Sequence, residues 1–210
     1  DDLEALLRHA NDEEVSRGLR DRFPFPYTRE DGEAFLGGRI LAPGTLNLAI
    51  EIDGAACGSI GAQPGVAERG HTAELGYWLG RAYWGQGWMT RVVGLFAPWV
   101  MDELRLFRLQ ADVLDFNEGS ARVLLGNGFQ EEGTARCAVF KRGQRLGSGP
   151  FHAPPICRHV GSGNWRGVGD RLEQRARLFK FGRVFIRLGR NDRLGLGLGQ
   201  RSRRERQRPC

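Results

Sequence analysis

The stretch GRAYWGQGWMT (residues 80–90) stands between an alternating apolar segment, TAELGYWL (72–79), and a helical apolar run that opens at Thr90 with TRVVGLFAPWVM. Strand, Gly-x-Gly bend, helix is the pattern whose reading decides the fold. Glycine at the bend permits positive φ or a close backbone approach, and the first turn of a helix leaves its N–H groups without intrahelical acceptors. The successive amides of Gln86, Gly87, Trp88, Met89 and Thr90 would converge on one point, where the helix dipole adds about 0.3–1 kcal/mol for an anion. A pyrophosphate suits such a cradle. The competing reading is purely steric: Gly85 and Gly87 turn a tight corner beneath Trp84 and Trp88.

Two other phosphate motifs fail on the same residues. Gly80 and Gly85 have GxxxxG spacing, but Gln86-Gly87 stand where a P-loop needs Lys and then Ser or Thr, so nothing would meet a γ-phosphate or Mg²⁺, which argues against a nucleoside triphosphatase. The dinucleotide pattern fails because Gly85-x-Gly87-x-x is completed by Thr90.

Upstream, Leu3, Leu6, Leu7 and Ala10 have helical spacing, and a short turn with Val15 and Leu19 follows. Pro24 and Pro26 then interrupt the chain. Thr28 with Asp31 is a capping signal for a helix with apolar positions Ala34, Phe35, Leu36, Ile40 and Leu41. Leu46, Leu48, Ile50 and Ile52 alternate, Asp53-Gly54 is a hairpin turn, and AACGSIGA (55–62) returns as its partner strand. Downstream, the helix after the bend is expected to be kinked by Pro98. Next comes a strand with Phe107, Leu109, Ala111 and Val113 inward. Then follow a short helix capped by Asn117 or Ser120 and ended by Gly128, and a strand TARCAVFK (134–141). Helices, antiparallel strands, then strand, helix, strand, helix, strand define an α/β layered domain without a regular βαβ repeat.

Charge divides the chain unevenly. Residues 147–210 hold 15 Lys+Arg against 4 Asp+Glu, whereas residues 1–146 hold 16 against 21, so the net +6 comes from the C-terminal part alone. The body therefore offers no basic stripe for nucleic acid, and binding of that kind would have to use the tail. That tail is rich in Arg and Gly and has no sustained period except near Leu172, Ala176 and Phe179. Three readings stay open for it: a disordered arginine-rich arm, a basic amphipathic helix for acidic surfaces, or sequence foreign to the domain, as out-of-frame translation of GC-rich DNA would give. The domain boundary is accordingly drawn at residue 146. Cys57, Cys137, Cys157 and Cys210 have no metal-binding spacing, so no metal is expected and reduced thiols are the default. The apolar run VVGLFAPWVM is too short for a bilayer, which leads to the expectation of a soluble, cytoplasmic protein.

AELGYWLGRAYWGQGWMTRVV (73–93), followed by FRLQADVLDFNEGSARVLLGNGFQEEGTARCAVFKRGQ (107–144), resembles the GNAT superfamily of acetyl-CoA-dependent N-acetyltransferases. The similarity lies in the branch that includes the ribosomal-protein N-terminal acetyltransferases and covers about residues 1–146. Its motifs are the bend, the Asn-x-x-Ser of Asn117 and Ser120, and the Leu-x-x-x-Gly-Phe of Leu124–Phe129. The resemblance implies a mixed, mostly antiparallel sheet flanked by helices, with the bend holding the pyrophosphate of coenzyme A. It implies that the strand of GYWLG parts from that of ADVL, leaving a wedge for pantetheine. There the N–H of a residue near Leu79 polarises the thioester carbonyl. Asn117 matches a contact to the pantetheine arm, and Ser120 matches a residue that returns a proton to the leaving thiolate. A neutral amine, on a protein N-terminus or a small molecule, would attack the acetyl carbon directly, without a covalent enzyme intermediate.

That attack needs a base, and Glu74 is the candidate, its pKa raised toward the working range by desolvation; the alternative is a surface carboxylate alternating outward from Leu75. His71 reads as a solvated loop residue. Tyr77 and Trp78 either wall the acceptor site or pack the sheet. Three departures from the family pattern stand out. Ala82 replaces the usual Arg or Gln at the loop's first position, the family's first strand is missing, and its closing strand is in doubt because KRGQ runs into LGSGPFHAPP. Loss of that strand would expose apolar side chains at roughly 1.5–3 kcal/mol each. The departures keep alive a second reading, a non-catalytic coenzyme A-binding remnant.

Overall fold

The computed structural model describes residues 2–153 and the backbone of 185–188. Three helices open the chain: α1 (Asp2–Ala10), α2 (Glu13–Arg17) and α3 (Arg29–Leu36). Asp12 caps α2 by accepting from the N–H groups of Glu14 and Val15, and Thr28 with Asp31 forms the expected capping box at α3. The third helix stops earlier than its apolar spacing suggests. Gly37 caps it and Gly38 turns at φ +70°, so Ile40 and Leu41 lie beyond it.

The sheet is built from β1 (Leu46–Ile52), β2 (Ala55–Pro64), β3 (Thr72–Leu79), β4 (Arg108–Leu114), β5 (Gln130–Glu131), β6 (Ala135–Lys141), β7 (Gln144–His152) and β8 (Phe185–Leu188). Its order is β5-β7-β4-β3-β2-β1-β8, with β6 paired to β7 off that path. Asp53 and Gly54, both at positive φ, make the tight turn between β1 and β2. Among the described residues, β3 with β4 and β1 with β8 run parallel and the other pairs are antiparallel. The mixed, mostly antiparallel α/β sheet of the sequence reading is thus the observed one.

Helix α4 (Trp88–Glu103) supplies the main core. Val92, Val93, Phe96 and Val100 lie fully buried against Ile50, Ile60 and Leu109 of the sheet, and the helix continues through Pro98. On the other face a smaller cluster joins Leu6, Ala10, Val15 and Tyr27 to Trp78. Helix α5 (Glu118–Leu125) packs beside α4.

Three expectations are corrected. First, the closing strand is present: β7 pairs with β4, β5 and β6, so a boundary at residue 146 cuts through a strand. Its period was hidden because glycine fills positions where neighbours crowd the backbone. A Cβ on Gly147 would lie 3.0 Å from Asp115 Oδ2, and one on Gly149 would lie 3.2 Å from the Glu131 carboxylate. Second, the C-terminal part is not wholly outside the fold, since β8 pairs with Ala49–Ile52 of β1 along the sheet edge. The stripe through Leu172, Ala176 and Phe179, and Cys157 and Cys210, lie outside the described residues. Third, Phe107 is not inward: it is 70% exposed and stacks on His71 with ring centroids 4.6 Å apart, because β4 starts one residue later.

Candidate active site

Strands β3 and β4 pair only between Thr72–Glu74 and Arg108–Gln110, after which β4 stays with β7 and the two part. This opening is the wedge that the resemblance implies. Gly80 N–H donates to the Cys57 carbonyl on β2 at 2.7 Å. Because polar groups alternate sides along a strand, those of Leu79 and Tyr77 face the opening instead. The Leu79 carbonyl is already occupied there: Trp84 Nε1 donates to it at 2.7 Å. The Leu79 N–H is left facing the gap, in position for an oxygen acceptor. The role of Trp84 was not legible beforehand, since a tryptophan in a glycine-rich bend carries no signal that its indole turns back on the strand.

The bend itself is formed by Gly85 at φ +71° and Gly87 at φ +75°, with Gly87 as the N-cap of α4 and no side-chain cap present. A Cβ at either position would meet nothing within 4 Å. Glycine is needed at both positions for φ, as a tight corner requires, and the space beside it is open, as an anion cradle requires. Among the described residues, the N–H groups of Gln86, Gly87, Trp88, Met89 and Thr90 donate to no protein group. The Gln86 side chain braces the bend instead, donating to the Ala82 carbonyl at 2.9 Å and accepting from Trp88 Nε1 at 3.2 Å. Asn127 Nδ2 ties the first turn of α4 to α5, donating to the carbonyls of Thr90 and Val123. Arg81, one place early for the family pattern, lies 3.9 Å from Asp12.

At the start of α5, Asn117 is the cap, its Oδ1 accepting from Ser120 N–H at 3.1 Å. That use leaves the Asn117 amide nitrogen as a donor. Tyr77 reaches across the opening, its hydroxyl 2.7 Å from Ser120 Oγ, and burial pushes its phenol up to about 12. Side chains alternate faces along β3, so Tyr77 lies on the α4 and α5 side, whereas Trp78, Gly76 and Glu74 lie on the side of α1 to α3.

Glu74 is not desolvated as expected; its side chain is 35% exposed and ion-paired with Arg20. Arg20 belongs to the loop between α2 and α3, which also carries Phe23. The Phe23 ring lies 5.3 Å from that of Trp78 and 5.0 Å from that of Tyr27. A buried lysine holds this loop: Lys141, at the end of β6 and 5% exposed, donates to the Leu19 carbonyl at 2.7 Å and to Asp21 Oδ1 at 2.8 Å. Neither Arg20 nor Lys141 could be linked to the site from sequence, because their partners are far away along the chain.

These parts line one cleft of about 920 Å³ that runs from the Gly85–Thr90 bend past Leu79, Tyr77, Asn117 and Ser120 to Glu74 and the aromatic cluster. Of the residues expected from sequence, all but Gln86 line this cavity. Among the described residues no group of His, Cys, Asp or Glu could hold a metal ion, and no helix is long and apolar enough to cross a membrane.

A sheet that splits between two parallel strands, with a glycine bend and helix terminus at the mouth of the split, defines an acyltransferase type of fold. The profile of the acetyltransferase (GNAT) domain matches residues 1–130, and the chain belongs to that family. It is 46% identical over 65 residues to "Probable N-acetyltransferase YjcK" of Bacillus subtilis, a match covering 31% of this chain and 36% of the relative. The alignment thus spans little more than a third of that relative's length. A T. thermophilus protein classed with the acetyltransferases is 31% identical, with 84% of this chain and 88% of that one covered and a TM-score of 0.60. The self-immunity acetyltransferase MccE for microcin C7, solved with acetyl-CoA and AMP, shares the fold at 20% identity and a TM-score of 0.61, over 73% and 85% of the two chains.

Proposed function

We propose that the protein is an N-acetyltransferase that moves the acetyl group of acetyl-CoA to a primary amine by direct attack. The observation that carries this reading is the set of unpartnered amides from Gln86 to Thr90 at the open end of the split sheet. A diphosphate there would accept several N–H bonds and meet the positive end of the α4 dipole. Membership of the GNAT family supports acetyl-CoA as the donor, and MccE holds that molecule on the same fold.

With acetyl-CoA bound, the thioester supplies the activated acyl group; the chain's own residues position it. The amide nitrogen of Asn117 donates to the pantetheine arm. Leu79 N–H stabilises the negative charge that develops on the thioester oxygen during attack. The acceptor enters from the side of α1 to α3, its body against Phe23, Tyr27 and Trp78, bringing its amine to the gap beside Leu79 and parting Arg20 from Glu74. Glu74 then takes the amine proton. At about 3.3 Å per residue along a strand, Glu74 is some 16 Å from Leu79, so the proton travels through water. Ser120, on the opposite face, returns a proton to the departing thiolate. The acceptor belongs to the class of primary amines, on a protein N-terminus or a small molecule.

The test is release of coenzyme A thiol from acetyl-CoA across a panel of peptide and small amines, with thermal stabilisation by acetyl-CoA measured in parallel. Stabilisation together with amine-dependent thiol release is expected. Stabilisation without release for any amine would favour the non-catalytic coenzyme A binder, for which the closed Arg20–Glu74 pair is the specific structural argument. Neither signal at millimolar coenzyme would contradict both readings.

A further inference from the structure

The contact between Tyr77 and Ser120 bridges the split in the sheet, from β3 to the first turn of α5. Its protons can be placed in two ways. Ser120 N–H is taken by Asn117 Oδ1 at 3.1 Å, and the Ser120 carbonyl belongs to the α5 ladder, where it faces the N–H four residues on. Tyr77 Oη lies 3.3 Å from that carbonyl but 2.7 Å from Ser120 Oγ, and the shorter distance is the usual one for an O–H···O bond. With the phenolic proton on Oγ, the serine's own O–H has no acceptor among the described residues and faces the cleft; with it on the carbonyl, Ser120 Oγ–H donates to the phenol instead. Without the phenol, a serine in a helix is free to turn its hydroxyl back onto a carbonyl of the preceding turn.

We propose that Tyr77 is a positioning residue for acetyl transfer, donating to Ser120 Oγ so that the Ser120 proton is directed at the sulfur of the departing coenzyme. The proposal rests on the acetyltransferase reading above. As the tetrahedral intermediate collapses, the C–S bond breaks and its electron pair goes to sulfur, which takes the Ser120 proton. The Tyr77 hydrogen bond stabilises the oxygen left behind, and the proton shed by the attacking nitrogen restores the hydroxyl through solvent. Burial holds the Tyr77 phenol near 12, so it remains a donor through the neutral range.

The experiment is a double-mutant cycle of Tyr77→Phe and Ser120→Ala on the full chain, read as kcat and as KM for acetyl-CoA, with melting temperatures alongside. Tyr77→Phe is expected to lower kcat by about tenfold while leaving KM for acetyl-CoA within about twofold, the loss of one well-placed hydrogen bond. In the Ser120→Ala background the same change should cost less than about twofold, because the group it serves is gone. Equal losses in both backgrounds, or a loss confined to KM, would overturn the assignment and make Tyr77 a packing residue. So would a Ser120→Ala enzyme as fast as the parent. Failure of the parent chain to release thiol appears before any variant is compared, and it would remove the acetyltransferase reading and this proposal together.

Discussion

Among single residues, Gly87 bears most directly on donor binding. It is the N-cap of α4 at φ +75°, a conformation in which any L side chain is strained, and the space next to it is open. Gly87→Glu adds that strain and sets a carboxylate against the proposed diphosphate. It should abolish the rise in melting temperature that acetyl-CoA gives the parent chain; a retained shift would place the coenzyme elsewhere. Glu74 is tested by Glu74→Gln, which keeps shape and removes basicity. A general base contributes typically 10²–10⁴-fold, so a loss of about a hundredfold in kcat is expected, and a loss below about threefold would return Glu74 to the status of a surface carboxylate. The bend was legible in sequence because glycines, a preceding period of two and a following helical stripe are all local signals. Trp84 on the Leu79 carbonyl and Arg20 on Glu74 were not, since which donor folds back on which acceptor is decided by tertiary packing.

At the scale of elements, the strands with branched apolar residues were readable and the one built from glycine was not. LNLAIEI announces β1 because every other side chain is large. GQRLGSGPFH hides β7, for Gly147 and Gly149 have no side chain to show a period, and Pro150 argues against a strand where only one of its neighbours needs the missing N–H. The close contacts of Gly147 and Gly149 explain their presence and predict that Gly149→Val lowers the melting temperature by several degrees through displacement of β5. The end of β6 bears on the acceptor side. Lys141 is buried and satisfied by the loop of Leu19 and Asp21, so Lys141→Met frees the loop that carries Arg20 and Phe23. The expected result is a raised KM for the amine with KM for acetyl-CoA unchanged, measured by varying each substrate in turn; equal changes in both would mean a general loosening instead.

Across the whole molecule, the charge division and the fold boundary did not coincide. The basic excess begins near residue 147, yet β7 runs to His152 and β8 lies within the basic part, because backbone pairing is indifferent to overall charge. The core imposes a pH dependence of definite sign. Burial raises the Cys57 thiol from 9.0 and the Tyr27 and Tyr77 phenols from 10.0, each to about 12. Each group holds its proton more tightly when folded than when unfolded. The stability they contribute is therefore complete below about pH 9 and is lost as pH rises toward 12. Melting temperature should fall across that window, and Tyr77→Phe should flatten part of the fall; a profile unchanged by that substitution would contradict the assigned burial.

Whether main-chain amides at one bend hold the donor's diphosphate is measured directly by a crystal structure of the full chain with acetyl-CoA. The expected result is pyrophosphate oxygens about 2.7–3.2 Å from amide nitrogens between Gln86 and Thr90, with the thioester in the gap between β3 and β4. A coenzyme bound elsewhere, with that bend empty or its amides turned onto other protein groups, would contradict it.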